Sequence, residues 1–423
     1  MSVETISVIG LGYIGLPTAA VLASRKKKVV GVDVNQHAVD TINRGEIHIV
    51  EPDLDDVVRT AVLTGHLRAT TKPEPAGAFI IAVPTPFKDQ HAPDLRFIEA
   101  ACASIAPVIK AGDLVILEST SPVGATEQMA AWLAADRPDL SFPQTHGEES
   151  DIRIAYCPER VLPGRVLQEL VQNDRVIGGM TPKCSQAAVA LYKVFVQGEC
   201  FVTDARTAEM CKLTENSSRD VSIAFANELS VICQRLGIDV WELIQLANRH
   251  PRVNILQPGP GVGGHCIAVD PWFIVDSAPE QARLIRTARE VNDHKPQWVI
   301  EQVRLAVGEY LQANPQRTAN SIVIACFGLA FKADIDDLRE SPALAITHAL
   351  AGQHPGKVLA VEPNIDVLPG GPNLSNTRLV SVEEALSEAD IVVGLVAHRA
   401  FKEISEKLLR DRVVIDVCGI WRK

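Results

Sequence analysis

The stretch Thr5-Ile6-Ser7-Val8-Ile9-Gly10-Leu11-Gly12-Tyr13-Ile14-Gly15 decides the fold. An apolar run of strand length leads into a Gly-x-Gly-x-x-Gly turn that opens a helical pattern, which is the context a dinucleotide-binding motif needs. Gly10 permits the tight turn. Gly12 lets a pyrophosphate approach the backbone, and Gly15 allows close packing of a helix whose N-terminal dipole attracts the anion. Asp33 ends the next apolar run, Lys28 to Val32, where its carboxylate can accept hydrogen bonds from ribose hydroxyls. An acid at that position repels a 2′-phosphate, so the expected cofactor is NAD rather than NADP. Alone, the glycines would specify no more than a turn; strand, helix and Asp33 together specify a site. The basic run Arg25 to Lys28 lies at the end of the first helix, where cations suit the dipole, and reads as a solvated face.

Further β-branched runs at Phe79 to Val83, Leu114 to Leu117 and Ile152 to Tyr156 alternate with helical patterns, predicting a parallel α/β sheet. From Ala205 to Leu236 the apolar residues Met210, Leu213, Val221, Ala224, Phe225, Leu229 and Ile232 recur at helical spacing, and Gly237 follows as a stop. Strands return at Ile322 to Phe327, Val358 to Val361, Ile391 to Leu395 and Val413 to Asp416. The fold class expected is therefore α/β: two Rossmann-like doubly wound parallel sheets joined by a central helical domain with a long helix. The domains expected are 1–200, 201–314 and 315–423. The second α/β half carries Gly328-Leu329-Ala330-Phe331-Lys332 where a dinucleotide fingerprint would sit, and is expected to bind something other than the nicotinamide cofactor.

Composition narrows the function. With 423 residues, 47% of them hydrophobic and 22% charged, the chain can bury large cores. A formal net charge of -11 argues against nucleic acid as a partner, because such surfaces need basic fields. No apolar run approaches the ~20 residues that span a bilayer, and no secretory leader is evident, so no membrane association and a cytoplasmic location are expected. Nine scattered cysteines without a C-x-x-C pair encode neither a disulfide framework nor a zinc ribbon.

One cysteine stands apart. Gly259-Pro260-Gly261-Val262-Gly263-Gly264-His265-Cys266 sets Cys266 in a glycine-dense loop, with Asp270-Pro271 just after it. A nucleophilic thiol needs access and nearby cations. Lys212, Asn216 and Arg219 recur at i, i+4 and i+7 on the long helix and share one face. A solvated stripe is the bland alternative, which spacing alone does not exclude. His250, His265, Cys266 and Asp270 could ligate a metal, yet their spacing matches no zinc pattern, and no metal is expected.

These motifs, with Val83-Pro84-Thr85-Pro86, Glu118-Ser119-Thr120, Cys157-Pro158-Glu159-Arg160 and Phe327 to Ser341, resemble the UDP-glucose/GDP-mannose dehydrogenase family over essentially the whole chain. The resemblance implies an NAD-binding domain, a central dimerisation domain giving a homodimer, and a C-terminal domain for the UDP moiety of a UDP-sugar. It implies that Tyr13, Ile14, Asp33, Thr85, Thr120 and Thr126 contact NAD, with Arg339 reaching the cofactor from the C-terminal domain. It places Arg160, Val161, Lys212, Asn216, Arg219, His250, Arg252, Gly263, Phe331, Lys332 and Arg422 along the nucleotide sugar. The implied chemistry is four-electron oxidation of a sugar C6 alcohol to a carboxylate. Cys266 is then the covalent nucleophile, Lys212 and Asn216 assist, and Glu159 or Asp270 is the base for hydrolysis. Arg160-Val161-Leu162-Pro163-Gly164, where UDP-glucose enzymes carry an aromatic residue after the Pro-Glu pair, points to an N-acetylated sugar. Ser218 and Cys418 depart from the family's pattern, the first from a larger aromatic residue and the second from a polar one. A two-electron hydroxyacid dehydrogenase could share the Rossmann domain and the Lys and Asn, but requires neither the thiol nor a second α/β domain; an NAD-sensing scaffold would need no catalytic set.

Overall fold

The computed structural model describes residues 3–49, 51–88, 91–162, 164–264, 266–370 and 375–422. They form two compact units, Met1–Glu215 with Asp276–Pro279, and Asn216–Val275 with Glu280–Lys423.

The first unit is built on eight strands: β1 (Thr5–Ile9), β2 (Lys28–Val32), β3 (Leu67–Thr70), β4 (Ala78–Ile81), β5 (Leu114–Leu117), β6 (Arg153–Tyr156), β7 (Arg175–Gly179) and β8 (Cys200–Asp204). Their spatial order is β3-β2-β1-β4-β5-β6-β7-β8. Apolar residues occupy successive positions because both faces are covered. Ile80, Leu114 and Ile116 enter one core with Ile6 and Val8, whereas Phe79, Ile81, Val115 and Leu117 enter the other. Two dry faces are the signature of double winding. All pairings are parallel except β6 with β7, which meet antiparallel at Ala155↔Gly179 and Tyr156↔Gly178. A wholly parallel sheet was the expectation, and β3, β7 and β8 were not foreseen.

The second unit carries β9 (Ile324–Phe327), β10 (Val358–Val361), β11 (Thr377–Leu379), β12 (Ile391–Gly394) and β13 (Val413–Asp416), in the order β11-β10-β9-β12-β13 and entirely parallel. This repeats the order of the first five strands of the other sheet. Again alternate residues feed opposite cores, with Ile324 and Cys326 on one side and Ala325 and Phe327 on the other.

The long helix spans Ala205–Leu236, as the apolar spacing predicts, and Gly237 ends it with φ +69°. Asp239 then caps the helix Val240–Ala247, accepting from the Trp241 and Glu242 amides. In the second unit the long helix packs on another, Arg283–Ala313, through buried polar contacts. Arg289 Nη1 meets Asp220 Oδ1 at 2.6 Å, and Asn227 donates to Asn292 at 2.9 Å. Desolvation offsets much of the attraction in a buried ion pair such as this one.

Candidate active site

The fingerprint turn has the geometry its glycines allow. Gly10 sits at φ +91°, and a Cβ there would stand 2.6 Å from the Ala82 carbonyl oxygen. A Cβ on Gly15 would come within 1.8 Å of the Gly10 carbonyl oxygen, whereas one on Gly12 would meet nothing within 4 Å. Gly12 thus presents bare backbone at the start of the helix Gly15–Ser24, a cradle suited to a pyrophosphate. Asp33 Oδ2 accepts from the Leu11 amide at 2.9 Å and Oδ1 from the Asn35 amide at 2.9 Å, fixing the carboxylate at the end of β2. Tyr13 is exposed and Ile14 half-buried beside it. Thr85 Oγ1 donates to the Thr120 carbonyl at 2.5 Å, tying together the loops after β4 and β5. These residues fit a dinucleotide.

Thr126 is placed differently from a ligand contact. It is fully buried, and its hydroxyl donates to Glu209 Oε1 at 2.6 Å. Glu209 also accepts the Gly124 and Thr126 amides, at 2.6 and 2.8 Å, so a carboxylate from the long helix caps the helix Ala125–Asp136. Burial pushes the Glu209 carboxyl up, against the pull of those hydrogen bonds. The sequence reading missed Glu209, although it lies one turn before Lys212.

Lys212 is buried in the first unit, as is Glu159, whose Oε2 accepts the Val161 amide at 2.6 Å. Burial raises the Glu159 carboxyl, while Arg175 and Lys212 draw it back down. Arg160 is held by Glu215, with Nη2 to Oε1 at 2.6 Å.

In the second unit the glycine-dense loop is a packing device. A Cβ on Gly263 would stand 2.6 Å from the Glu340 carbonyl oxygen and 2.7 Å from Phe331 Cβ, and Gly264, at φ +81°, lies against the Phe331 ring. The loop backbone is pinned from both sides, by Gly259 N to Asn227 Oδ1 at 2.9 Å and Gly264 N to the Arg339 carbonyl at 3.2 Å. Cys266 follows. Its carbonyl accepts the Val269 and Asp270 amides, forming the turn into the helix Asp270–Ser277. Of the nine cysteines it is the exposed one. Asp270 is buried and accepts from Asn216 Nδ2 at 2.5 Å, so the Asn216 amide is engaged with that carboxylate.

Arg219, His250, Arg252 and Lys332 are exposed. Arg339 is exposed and bound by Asp337, with Nε to Oδ1 at 2.9 Å, and Arg422 pairs with Asp239. Three of the five arginines expected to meet ligand, Arg160, Arg339 and Arg422, therefore have an acidic neighbour that the sequence reading did not name. Among the described residues no group of three or more His, Cys, Asp or Glu could hold a metal ion; His265 lies outside them. No helix among them is long and apolar enough to cross a membrane.

The turn after β9 mimics the first fingerprint. Gly328, at φ +95°, donates its amide to the Val361 carbonyl at 2.8 Å, just as Gly10 donates to Val32 at 2.8 Å. Here, however, Glu362 accepts the Leu329 and Ala330 amides and is met by His398 Nε2 at 3.0 Å. Glu362 and His398 are both buried, so the carboxylate at the position of Asp33 is consumed within the fold.

Three family models cover the chain: the NAD binding domain of the UDP-glucose/GDP-mannose dehydrogenase family over residues 4–196, its central domain over 206–294, and its UDP binding domain over 325–423. The chain belongs to this family. It is accordingly an NAD-dependent dehydrogenase, with NAD as the cofactor of the first unit and a UDP binding domain in the second. It is 67% identical to a UDP-N-acetyl-D-mannosamine dehydrogenase of Yersinia pestis, over 100% of both chains. It is 68% identical to an NDP-N-acetyl-D-galactosaminuronic acid dehydrogenase of Ralstonia nicotianae, over 99% of this chain and 96% of that one. Among solved structures, a UDP-D-ManNAc dehydrogenase from Pyrococcus horikoshii aligns with TM-score 0.87 at 37% identity, covering 99% of this dehydrogenase and 96% of that chain.

Proposed function

We propose that this dehydrogenase oxidises the C6 alcohol of UDP-N-acetyl-D-mannosamine to UDP-N-acetyl-D-mannosaminuronate. Cys266 carries the reading: a single exposed thiol, set in a rigidly packed glycine loop, is what a four-electron oxidation with a bound aldehyde stage needs. The run Ala247 to Asn254 and the ending Gly419-Ile420-Trp421-Arg422 support the named sugar, since both resemble enzymes of that specificity. The relative of Ralstonia nicotianae supports a second reading, a nucleotide-linked N-acetylgalactosamine, at practically the same identity. UDP-N-acetylglucosamine is the third candidate. The deciding experiment measures NADH formed per mole of each sugar nucleotide: two from UDP-N-acetylmannosamine alone supports the proposal, and two from another sugar replaces the substrate while keeping the chemistry. One NADH or none returns the choice to a two-electron dehydrogenase.

NAD supplies the acceptor for both hydrides. Lys212, or a water it orders, takes the hydroxyl proton in the first oxidation. The Cys266 thiolate then adds to the aldehyde carbon, and the Lys212 ammonium and Asn216 amide stabilise the oxyanion of the thiohemiacetal. Loss of the second hydride leaves a thioester, which water cleaves with Glu159 or Asp270 as base; the carboxylate departs and the thiol is restored. For Lys212→Ala, turnover is expected to fall at least ~100-fold, the lower end for lost acid–base catalysis. An unchanged rate would remove Lys212 from the scheme.

We assign NAD binding to residues 1–200, catalysis and dimerisation to 201–314, and the UDP-sugar to 315–423, in a cytoplasmic protein whose thiols stay reduced. Phe225, Ile232 and Leu236 on the long helix are 52%, 45% and 64% exposed, and their spacing of seven and four makes one apolar stripe. A second copy of the chain is the proposed occupant. Phe225→Asp with Ile232→Asp is expected to convert dimer to monomer in sedimentation; a double variant that sediments like the parent would exclude this face.

A further inference from the structure

The second unit buries a chain of polar side chains that ends on the backbone of the Cys266 loop. Asp220 and Asn227 lie on the long helix Ala205–Leu236, Arg289 and Asn292 on the helix Arg283–Ala313, and all four are buried. Arg289 Nη1 donates to Asp220 Oδ1 at 2.6 Å, and Asn292 Nδ2 donates to the same oxygen at 2.8 Å. Asn227 Nδ2 donates to Asn292 Oδ1 at 2.9 Å, and Asn227 Oδ1 accepts the Gly259 amide at 2.9 Å. Among the described residues, the atoms of this chain left without a partner, Asp220 Oδ2 and Arg289 Nε, are at its charged end.

The direction of every bond follows from Arg289. A guanidinium only donates, so Asp220 Oδ1 accepts; an ionised carboxylate only accepts, so Asn292 must offer it the NH2 end of its amide. That leaves the Asn292 oxygen for Asn227, which presents its own NH2 there and its oxygen to Gly259. Reversing either amide would set like against like in a buried site, where an unmet polar group is costly. Gly259 is the handle of its segment: Pro258 and Pro260 flank it and carry no N–H, so it is the sole backbone donor of residues 258–260. Beyond it the loop runs close to the same helix, since a Cβ on Gly261 would stand 3.2 Å from the Asn292 carbonyl oxygen and 3.3 Å from Pro296 Cδ.

We propose that Asn227 and Asn292 are positioning residues for the Cys266 thiol: the Arg289–Asp220 ion pair fixes the direction of their amides so that Asn227 grips the loop at Gly259, ahead of the nucleophile. The inference rests on the reading of Cys266 as that nucleophile. Among the described residues the Asn292 amide bonds to Asp220 and Asn227 and not to the loop, so an effect of its removal on Cys266 passes through Asn227.

The test uses the full-length protein with NAD and a saturating concentration of the sugar nucleotide that gives two NADH. Two rates are read: alkylation of Cys266 by iodoacetamide, located by peptide mass, and formation of the second NADH in a single turnover, beside the first. Asn292→Leu keeps the approximate shape of the side chain and removes the amide. It is expected to slow alkylation and the second NADH by about 10- to 100-fold, the scale of loss for a reacting group misplaced by ~1 Å, and to slow the first NADH less. Asn227→Leu is expected to do the same, and the double variant to lose no more than Asn227→Leu alone, because members of one chain do not add. Amide exchange at Gly259, resolved by fragmenting peptides that span 255–264, needs no variant: in the parent it is expected to be as slow as in the long helix. If alkylation of Cys266 in the parent leaves the second NADH intact, Cys266 is not the nucleophile and the underlying reading fails. If alkylation abolishes it, the inference alone fails on any of three results: Asn292→Leu leaves both rates unchanged, the losses of the single variants add in full, or, should the variants not fold, the parent Gly259 amide exchanges as fast as an exposed one.

Discussion

Cys266→Ala is expected to abolish carboxylate formation, by on the order of 10³-fold or more, because the nucleophile of the covalent route is gone. The first oxidation needs no thiol, so one NADH and an aldehyde are expected to appear, and a hydrazide trap should capture that aldehyde. Cys266→Ser is the sharper comparison. A serine hydroxyl fits the same space but is not ionised near neutral pH, so it cannot replace a thiolate without a strong base beside it. Product analysis by mass spectrometry decides the matter: a serine variant that completes both oxidations at a near-normal rate would sink the covalent scheme. The fold should survive either change, since Cys266 is exposed while the loop is fixed by its glycines against Phe331 and Glu340.

The second large effect belongs to Gly15. A Cβ there would lie 1.8 Å from the Gly10 carbonyl oxygen and 3.3 Å from Ala82 Cβ. The first obstacle is backbone, which no rotamer change can move aside. Gly15→Val should therefore cost at or above the upper end of ~1–3 kcal/mol for overpacking, and it should displace the helix start that faces the pyrophosphate. Loss of NAD binding, by ~100-fold or more, together with a lowered Tm is the expected result, since ~2.7 kcal/mol corresponds to that factor. Gly12→Ala makes the contrast. With nothing within 4 Å of its Cβ, Tm should hardly change while NAD affinity falls, because the new methyl group occupies the cradle and not the core. Fluorescence titration with NAD and a thermal scan of both variants would check this; equal losses of Tm would mean that the tight turn does not govern the first unit.

Much of this architecture was legible because it rests on periodicity and on backbone-demanding residues. The glycines at 10, 12 and 15 have one conformational use in that order, and the long helix has a continuous apolar spacing ended by Gly237. Short strands were less visible. Leu67-Arg68-Ala69-Thr70 is an edge strand with too few β-branched residues to stand out, and Thr377–Leu379 has only three residues. The antiparallel joining of β6 and β7 leaves no local mark, because direction is set by where the chain returns. In the site, sequence named the groups that meet ligands more readily than those that hold them. Glu209, Glu215 and Asp239 are ordinary acids in the sequence; only the fold brings them to Thr126, Arg160 and Arg422, whereas Asp337 is already a sequence neighbour of Arg339.

The uneven exposure of the nine thiols gives the protein a built-in gauge of its own integrity. Burial pushes the thiols of Cys102, Cys157 and Cys326 up to about 12, which leaves them as unreactive neutral groups while the native packing lasts. A colorimetric thiol reagent added to the native enzyme therefore meets Cys266 first, and catalytic death and the first labelled thiol should coincide. A buried thiol, Cys102, Cys157, Cys184, Cys233 or Cys326, that becomes titratable marks the opening of an interior, so the same reagent separates a poisoned but intact molecule from one that has come apart.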